Sequence, residues 1–371
     1  MGTRIIAIIA LILCLLLVCF YRPAMLAARD GFDLWLEVVM PALFPFMVCT
    51  SILQRSGTFN LNKNKRSNGR FSGPAVPLLL TCCLSGAPSG ARLSGMLMES
   101  GALCQHDAMR LSAICNLASP MFITGSLCTS MLGIPSLAVP ICIAHYGSAF
   151  LTLLLSGLKI PYNGQRKLKA SKPPYQTTCH KGPAVIASGI GDGISAMLNI
   201  CGTIIFFMVL ICILRESGAL DLISTVFSWL FSAIGLHSGL AEPFVVGLFE
   251  MTNGCRLLSG IAVPAHMLAS IAAFIITFGG ACVYIQSMSF ILLKTGQFFL
   301  LKLIQAILAA IIAYLVTPLF ISTSVAASGT ADDRLLINAA ATGLAIASSL
   351  LGIVSVLLLS RLLGYRKLTK T

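Results

Sequence analysis

The stretch from Pro74 to Gly101 reads PAVPLLLTCCLSGAPSGARLSGMLMESG. It holds two apolar runs, each well short of the roughly 20 residues that a helix needs to cross hydrocarbon. Between them stands Ser85-Gly86-Ala87-Pro88-Ser89-Gly90, a cluster that halts a helix. Two half-length helices joined by such a break describe a re-entrant hairpin, over about 74–103, that returns to the side it left.

The rest of the chain supplies the membrane setting. Of its 371 residues 57% are hydrophobic and only 10% charged, and mean hydropathy is +0.92. A soluble domain carries about 25% charged residues, so that class is excluded. Charge-free runs of membrane length recur, among them 111–158, 193–214, 257–293 and 335–360. Ile5 to Phe20, after Arg4, suits an uncleaved signal anchor, because no small-residue cleavage site closes it. Spans are expected at about 32–53, 109–133 (interrupted by Asn116, Ser119-Pro120 and Gly125) and 135–157, and then at about 193–214, 265–291, 298–323 and 335–360. Residues 220–236 are amphipathic and suit the bilayer interface.

The net charge of +13 is concentrated in loops: five basic residues lie in 55–70, six in 159–181 and four in 361–370. Anionic headgroups at such loops, and no nucleic acid, are the expected partners. With the first hairpin re-entrant, both basic loops, Lys294 and the tail share one side, and Asp332 and Asp333 take the other. The positive-inside rule makes the basic side cytoplasmic. The fourteen cysteines contain no CxxC, and the five histidines form no cluster, so neither a metal nor a cofactor is expected.

The two halves resemble each other. Pro45 to Gly57 reads PFMVCTSILQRSG and Phe206 to Gly218 reads FFMVLICILRESG, identical at seven of thirteen positions. Downstream, Ser89-Gly90-Ala91-Arg92-Leu93 answers Asn253-Gly254-Cys255-Arg256-Leu257. The second of these lies in a further hairpin-like segment, about 239–262, with its break at Asn253-Gly254. Under the sidedness above the matched segments run in opposite directions. The expected fold is therefore all-α and polytopic: an inverted-repeat, transporter-like bundle with two re-entrant helical hairpins. Its parts are an anchor over 1–31, a first repeat over 32–157, a basic loop over 158–182, a second repeat over 183–297, and closing helices with a basic tail over 298–371.

Broken helices leave backbone groups that must bind something, so the breaks mark the candidate site. Half-helix N-termini favour anions. Ser89 with Gly90, and Asn253 with Gly254, each offer a cap-like residue followed by an arginine, Arg92 or Arg256. Together these are an anion cradle whose arginines would jointly hold a substrate's carboxylates. The alternative use of both arginines is pairing with Glu99 and Glu250. Glu250 itself is either a proton or cation carrier or the partner of Arg256. Asn116, Ser119, Thr277 and Gln286 are candidate substrate contacts, or hydrogen-bonding glue between helices. Gly279 and Gly280 interrupt the span at 265–291. Hydrolase, metalloprotease and nucleotide-binding motifs are absent from the sequence, so the expected partner is a transported small organic anion.

The segments VVMPALFPFMV (38–48), LSGAPSGARLSGML (84–97), NLASPMF (116–122), GLFEMTNG (247–254) and FGGACVYIQ (278–286) resemble the YlbJ family of sporulation integral membrane proteins. That family is akin to the Gate domain of nucleoside transporters and spore maturation proteins. The chain departs from the pattern at Ser119 and Tyr284, where asparagine and histidine are common. The resemblance implies a role in endospore formation, at the cell membrane or the outer forespore membrane, with dipicolinate as the transported anion. Nucleoside carriage is the alternative substrate class, and a non-transporting assembly role in the spore envelope is the alternative of another kind. Oligomeric state and protein partners are not readable from the sequence.

Overall fold

The computed structural model describes residues 2–55, 82, 86–99, 103–156, 183–291 and 295–321. The first arm of the hairpin at 74–103 lies almost wholly outside the described residues. So do the basic loops beyond Arg55, Lys294, the closing span at 335–360, and the tail with Asp332 and Asp333.

The described elements are helical throughout. They are α1 (Gly2–Cys19), α2 (Tyr21–Leu34), a π-helical turn (Trp35–Val39), α3 (Met40–Arg55), α4 (Ser89–Glu99) and α5 (Gln105–Cys115). A π-helical stretch (Phe122–Met131) then leads to α6 (Ala138–Leu155), α7 (Pro183–Glu216) and α8 (Ala219–Ala233). After these come α9 (Ala241–Phe249), α10 (Met251–Leu257), α11 (Ala265–Phe278), α12 (Gly280–Met288) and α13 (Thr295–Phe320).

Five stretches are long and apolar enough to cross a membrane: Tyr21–Ile52, Pro135–Leu155, Pro183–Glu216, Ala265–Met288 and Gly296–Phe320. The 34 residues of α7 extend about 51 Å at 1.5 Å per residue, longer than the hydrocarbon is thick. Outward faces carry apolar side chains such as Ile8, Leu15, Leu198, Leu303, Ile311 and Leu319, a surface suited to lipid and not to water. The amphipathic helix α8 turns Trp229 outward, 71% exposed, beside exposed Leu222 and Val226. The protein is an all-α, multi-pass membrane protein. The twelve described cysteines are all free, and seven of them are buried.

Three breaks organise the interior. After α5 the backbone leaves helical geometry at Asn116, and Pro120 lacks the N–H that would continue the ladder. Ser119 Oγ restarts the chain by accepting from Phe122 N at 3.2 Å. The sequence predicts a span over 109–133 interrupted at Asn116 and Ser119-Pro120, and the chain forms two short helical pieces on either side of those residues. At the second break Gly279 and Gly280 both adopt left-handed φ, 79° and 71°, which costs glycine little and any other residue more. They separate α11 from α12, as the sequence leads one to expect.

The third break corrects an expectation. The second hairpin turns at Glu250 (φ −137°, ψ 112°), and Asn253 and Gly254 lie inside α10. The reason is electrostatic. Glu250 is 1% exposed, and its carboxylate accepts from Thr252 N at 3.0 Å and from Asn253 N at 2.6 Å. It thereby caps the N-terminus of α10 from within the chain. Helix α10 then runs back along α9. A Cβ on Gly254 would lie 2.4 Å from Gly247 Cα and 2.9 Å from Pro243 O, so the two arms touch backbone to backbone. Neither arm, at nine and seven residues, could cross a bilayer alone.

Helix α4 and the second hairpin each seat against a break. A Cβ on Gly90 in α4 would fall 2.4 Å from Cys115 O, where α5 ends. A Cβ on Gly280 would fall 2.9 Å from both Gly247 O and Phe249 O, at the tip of the second hairpin. In the second half the order is helix α7, hairpin α9–α10 and broken helix α11–α12.

Candidate functional site

A cavity of about 180 Å³ opens between α3, α4, α7 and α12, so it draws on both halves of the chain. Its polar lining includes Ser51, Ser89, Arg92, Asp192, Asn199 and Gln286, set among apolar groups such as Met47 and Ile285. Arg55, in the last turn of α3, grips Asp192 of α7 in bidentate fashion, Nε to Oδ2 at 2.8 Å and Nη2 to Oδ1 at 2.9 Å. Arg92 approaches the same carboxylate, Nη2 to Oδ2 at 3.6 Å, and Ser51 Oγ donates to it. Two guanidinium groups thus converge on one carboxylate beside the cavity.

The geometry explains why these side chains meet. Gly189 and Gly193 let α7 close on α3: a Cβ on Gly189 would fall 2.6 Å from Ile52 Cγ1, and one on Gly193 would fall 2.7 Å from Val48 Cγ2. Asp192 is thereby brought to the end of α3, where Ser51 and Arg55 face it one turn apart. Arginine suits this place because its planar fork matches both carboxylate oxygens.

The sequence-predicted site residues separate into three groups. Ser89, Arg92 and Gln286 line the cavity. Ser89 Oγ donates to Gly86 O, and Gln286 Nε2 lies 3.5 Å from Cys282 Sγ. A second group meets where the two broken helices cross. Asn116 Nδ2 donates to Ser287 Oγ at 2.8 Å, and Thr277 Oγ1 lies 2.7 Å from His145 Nδ1. Ser119, Gly90, Gly279 and Gly280 shape the backbone around that crossing.

Glu250, Asn253, Gly254 and Arg256 form the third group, in the second hairpin. They do not line the cavity. Arg256 is exposed, and its Nη2 lies 3.4 Å from Asn253 Oδ1. Arg92 and Arg256 are therefore not brought together in the cavity. Arg92 pairs with Asp192 and not with Glu99, which is exposed. The N-terminus of α10 holds no outside anion because Glu250 already fills it.

Three charged residues of the interior escape sequence reasoning: Arg55, Asp192 and Lys302. Arg55 and Asp192 sit at the ends of long apolar runs, where charges ordinarily mark loops. Lys302 is 1% exposed, within α13. Its Nζ donates to Asn116 O at 2.7 Å and Thr277 O at 3.1 Å. The signal that could have found Lys302 is a lone cation six residues inside an apolar helix.

Fold and interior together define a polytopic helical membrane protein built on interrupted helices and a folded-back hairpin, the architecture of many transporters. Residues 197–298 match the Gate family, described as nucleoside recognition. The match takes in the Glu250 hairpin and the Gly279–Gly280 break. The chain is also 27% identical over 312 residues to the sporulation integral membrane protein YlbJ of Bacillus subtilis (strain 168), covering 78% of this chain and 76% of that relative. The resemblance read from the short segments thus holds over most of the chain. No solved structure is significantly similar.

Proposed function

We propose that the chain is a secondary transporter of a small organic anion, held in the cavity beside Arg92. The observation that carries this is the convergence of Arg55 and Arg92 on Asp192 beside a cavity lined by both halves. Asp192 neutralises guanidinium charge that would otherwise be costly at membrane depth. A solute carboxylate takes the place of Asp192 on Arg92, and a second carboxylate reaches Arg55. Arg256 has no part in this arrangement. The polar groups of Ser51, Asn199 and Gln286 orient the remainder of the solute.

In this proposal the halves are inverted repeats that rock about the crossing of the broken helices, and the basic loops face the cytoplasm. The relative's printed name supports a role in spore formation. A flat dicarboxylate such as dipicolinate would engage two guanidinium groups at once, and it is the substrate we infer. The Gate description favours a second reading, nucleoside carriage, for which Asn199 and Gln286 would supply amide contacts to a base.

Uptake by proteoliposomes holding the purified chain separates these readings. Concentrative or exchange uptake of labelled dipicolinate, with none of labelled nucleoside, is the expected result. Nucleoside uptake alone would replace the anion reading with the second one. Uptake of neither would point to a non-transporting assembly role.

A further inference from the structure

The crossing of the broken helices carries an inference that goes beyond the transported solute. Two helices stop there with their carbonyl ends converging: α5, capped by Asn116, and α11, whose last turn holds Thr277. Such ends carry partial negative charge and, in membrane proteins with interrupted helices, coordinate small cations. Lys302 Nζ lies between them, donating to Asn116 O and Thr277 O. His145 ties the same two breaks together: its Nε2 accepts from Ala118 N at 2.9 Å while Nδ1 faces Thr277 Oγ1.

A second observation points to cation chemistry. Asn116 Oδ1 and Gln305 Oε1 are fully buried oxygens that accept no hydrogen bond among the described residues. Their residues are 2% and 0% exposed. Gln305 stands one turn beyond Lys302 and reaches the same helix end, with Nε2 3.5 Å from Ile114 O. The place is therefore rich in acceptor oxygens: two main-chain carbonyls and two buried amide oxygens. Hard monovalent cations take oxygen donor sets of this kind.

We propose that Lys302 is a built-in cation occupying a monovalent-metal site made by the two broken helices. The ammonium group stands where a sodium ion would otherwise bind, and it frees the fold from any need for that ion. Removing the ammonium while leaving the oxygens uncovers the site. Asn116 O, Thr277 O and Asn116 Oδ1 are the ligands, with Gln305 Oε1 at its edge.

The test is binding and stability of the full purified chain, and it does not use transport. Failure of the solute assignment and failure of this inference are therefore separate results. Thermal unfolding is followed in NaCl, KCl and choline chloride at equal ionic strength. The unmodified protein is expected to melt at one temperature in all three salts. Lys302→Ala is expected to melt lower in choline chloride and to gain about 5 °C, saturably, with added sodium or potassium. Lys302→Met fills the space with an uncharged chain and is expected to show no such gain. If Lys302→Ala does not fold, Lys302→Gln keeps the length and one donor group, and the same saturable gain is read there. A saturable sodium response in the unmodified protein would overturn the proposal. So would equal melting of the alanine or glutamine variant in alkali and choline salts.

Discussion

Arg55 holds Asp192 with both ends of its fork, 2.8 and 2.9 Å from the two carboxylate oxygens, across 137 residues of sequence. This one pair fastens the end of α3 to the long helix α7 beside the cavity. Hydrogen bonds to charged groups are worth more than neutral ones, about 1.5–3 kcal/mol each. A double-mutant cycle of Arg55→Gln and Asp192→Asn in thermal or denaturant unfolding is expected to give a coupling energy of about 2 kcal/mol. Coupling near zero would mean that the pair does not fasten the helices.

In the proposed transport, Asp192 competes with the incoming anion. Asp192→Asn keeps the shape and removes the charge, so apparent anion affinity is expected to rise about tenfold, which corresponds to about 1.4 kcal/mol. The same variant is expected to lose about 2–3 kcal/mol of stability, because two partly buried guanidinium groups lose their carboxylate. Equilibrium dialysis with labelled dipicolinate reads the first effect. Unchanged or weaker binding would rule out the competition.

Glu250 is a cap. Its loss in Glu250→Ala is expected to cost about 1–2 kcal/mol, with Glu250→Gln costing less because one acceptor oxygen survives. Thermal unfolding in detergent checks the order. Equal melting of the alanine variant and the unmodified protein would remove Glu250 from this role.

Backbone contact at the hairpins gives a steric forecast. Gly90→Ala and Gly254→Ala each force a Cβ within 2.4 Å of a backbone atom, which has no flexible end to move aside. Losses of about 3 kcal/mol or more, or failure to accumulate in the membrane, are expected. Gly191→Ala in α7 meets nothing within 4 Å and is expected to be neutral or slightly stabilising. Comparable damage from all three would show that the close backbone contacts at Gly90 and Gly254 are not the source of the loss.

What the letters disclose and what they conceal follow from range. Interruptions are local, so NLASP at 116–120 and Gly279-Gly280 are legible: proline and glycine act on their own backbone. The turn at Glu250 was placed three residues late because Asn-Gly resembles a turn pair. A carboxylate that caps two amide N–H groups leaves no composition signal of that kind. Ser89 and Arg92, which line the cavity, are legible as candidates because they lie beside a break. Arg55 and Asp192 were not, since their pairing depends on how closely α3 and α7 approach through Gly189 and Gly193. Lys302 was hidden for a related reason: its partners are main-chain carbonyls 186 and 25 residues away.

The central claim is that solute binds at Arg92 and not at Arg256, and one comparison tests it directly. Arg92→Gln and Arg256→Gln each remove one positive charge while keeping hydrogen-bonding capacity, and both proteins are compared in proteoliposomes at matched amounts of folded protein. Initial dipicolinate uptake is expected to fall at least about tenfold for Arg92→Gln, the loss of one charge-assisted contact. Arg256→Gln is expected to transport at close to the unmodified rate. Unimpaired uptake by Arg92→Gln, or an equal loss from both variants, would contradict the account.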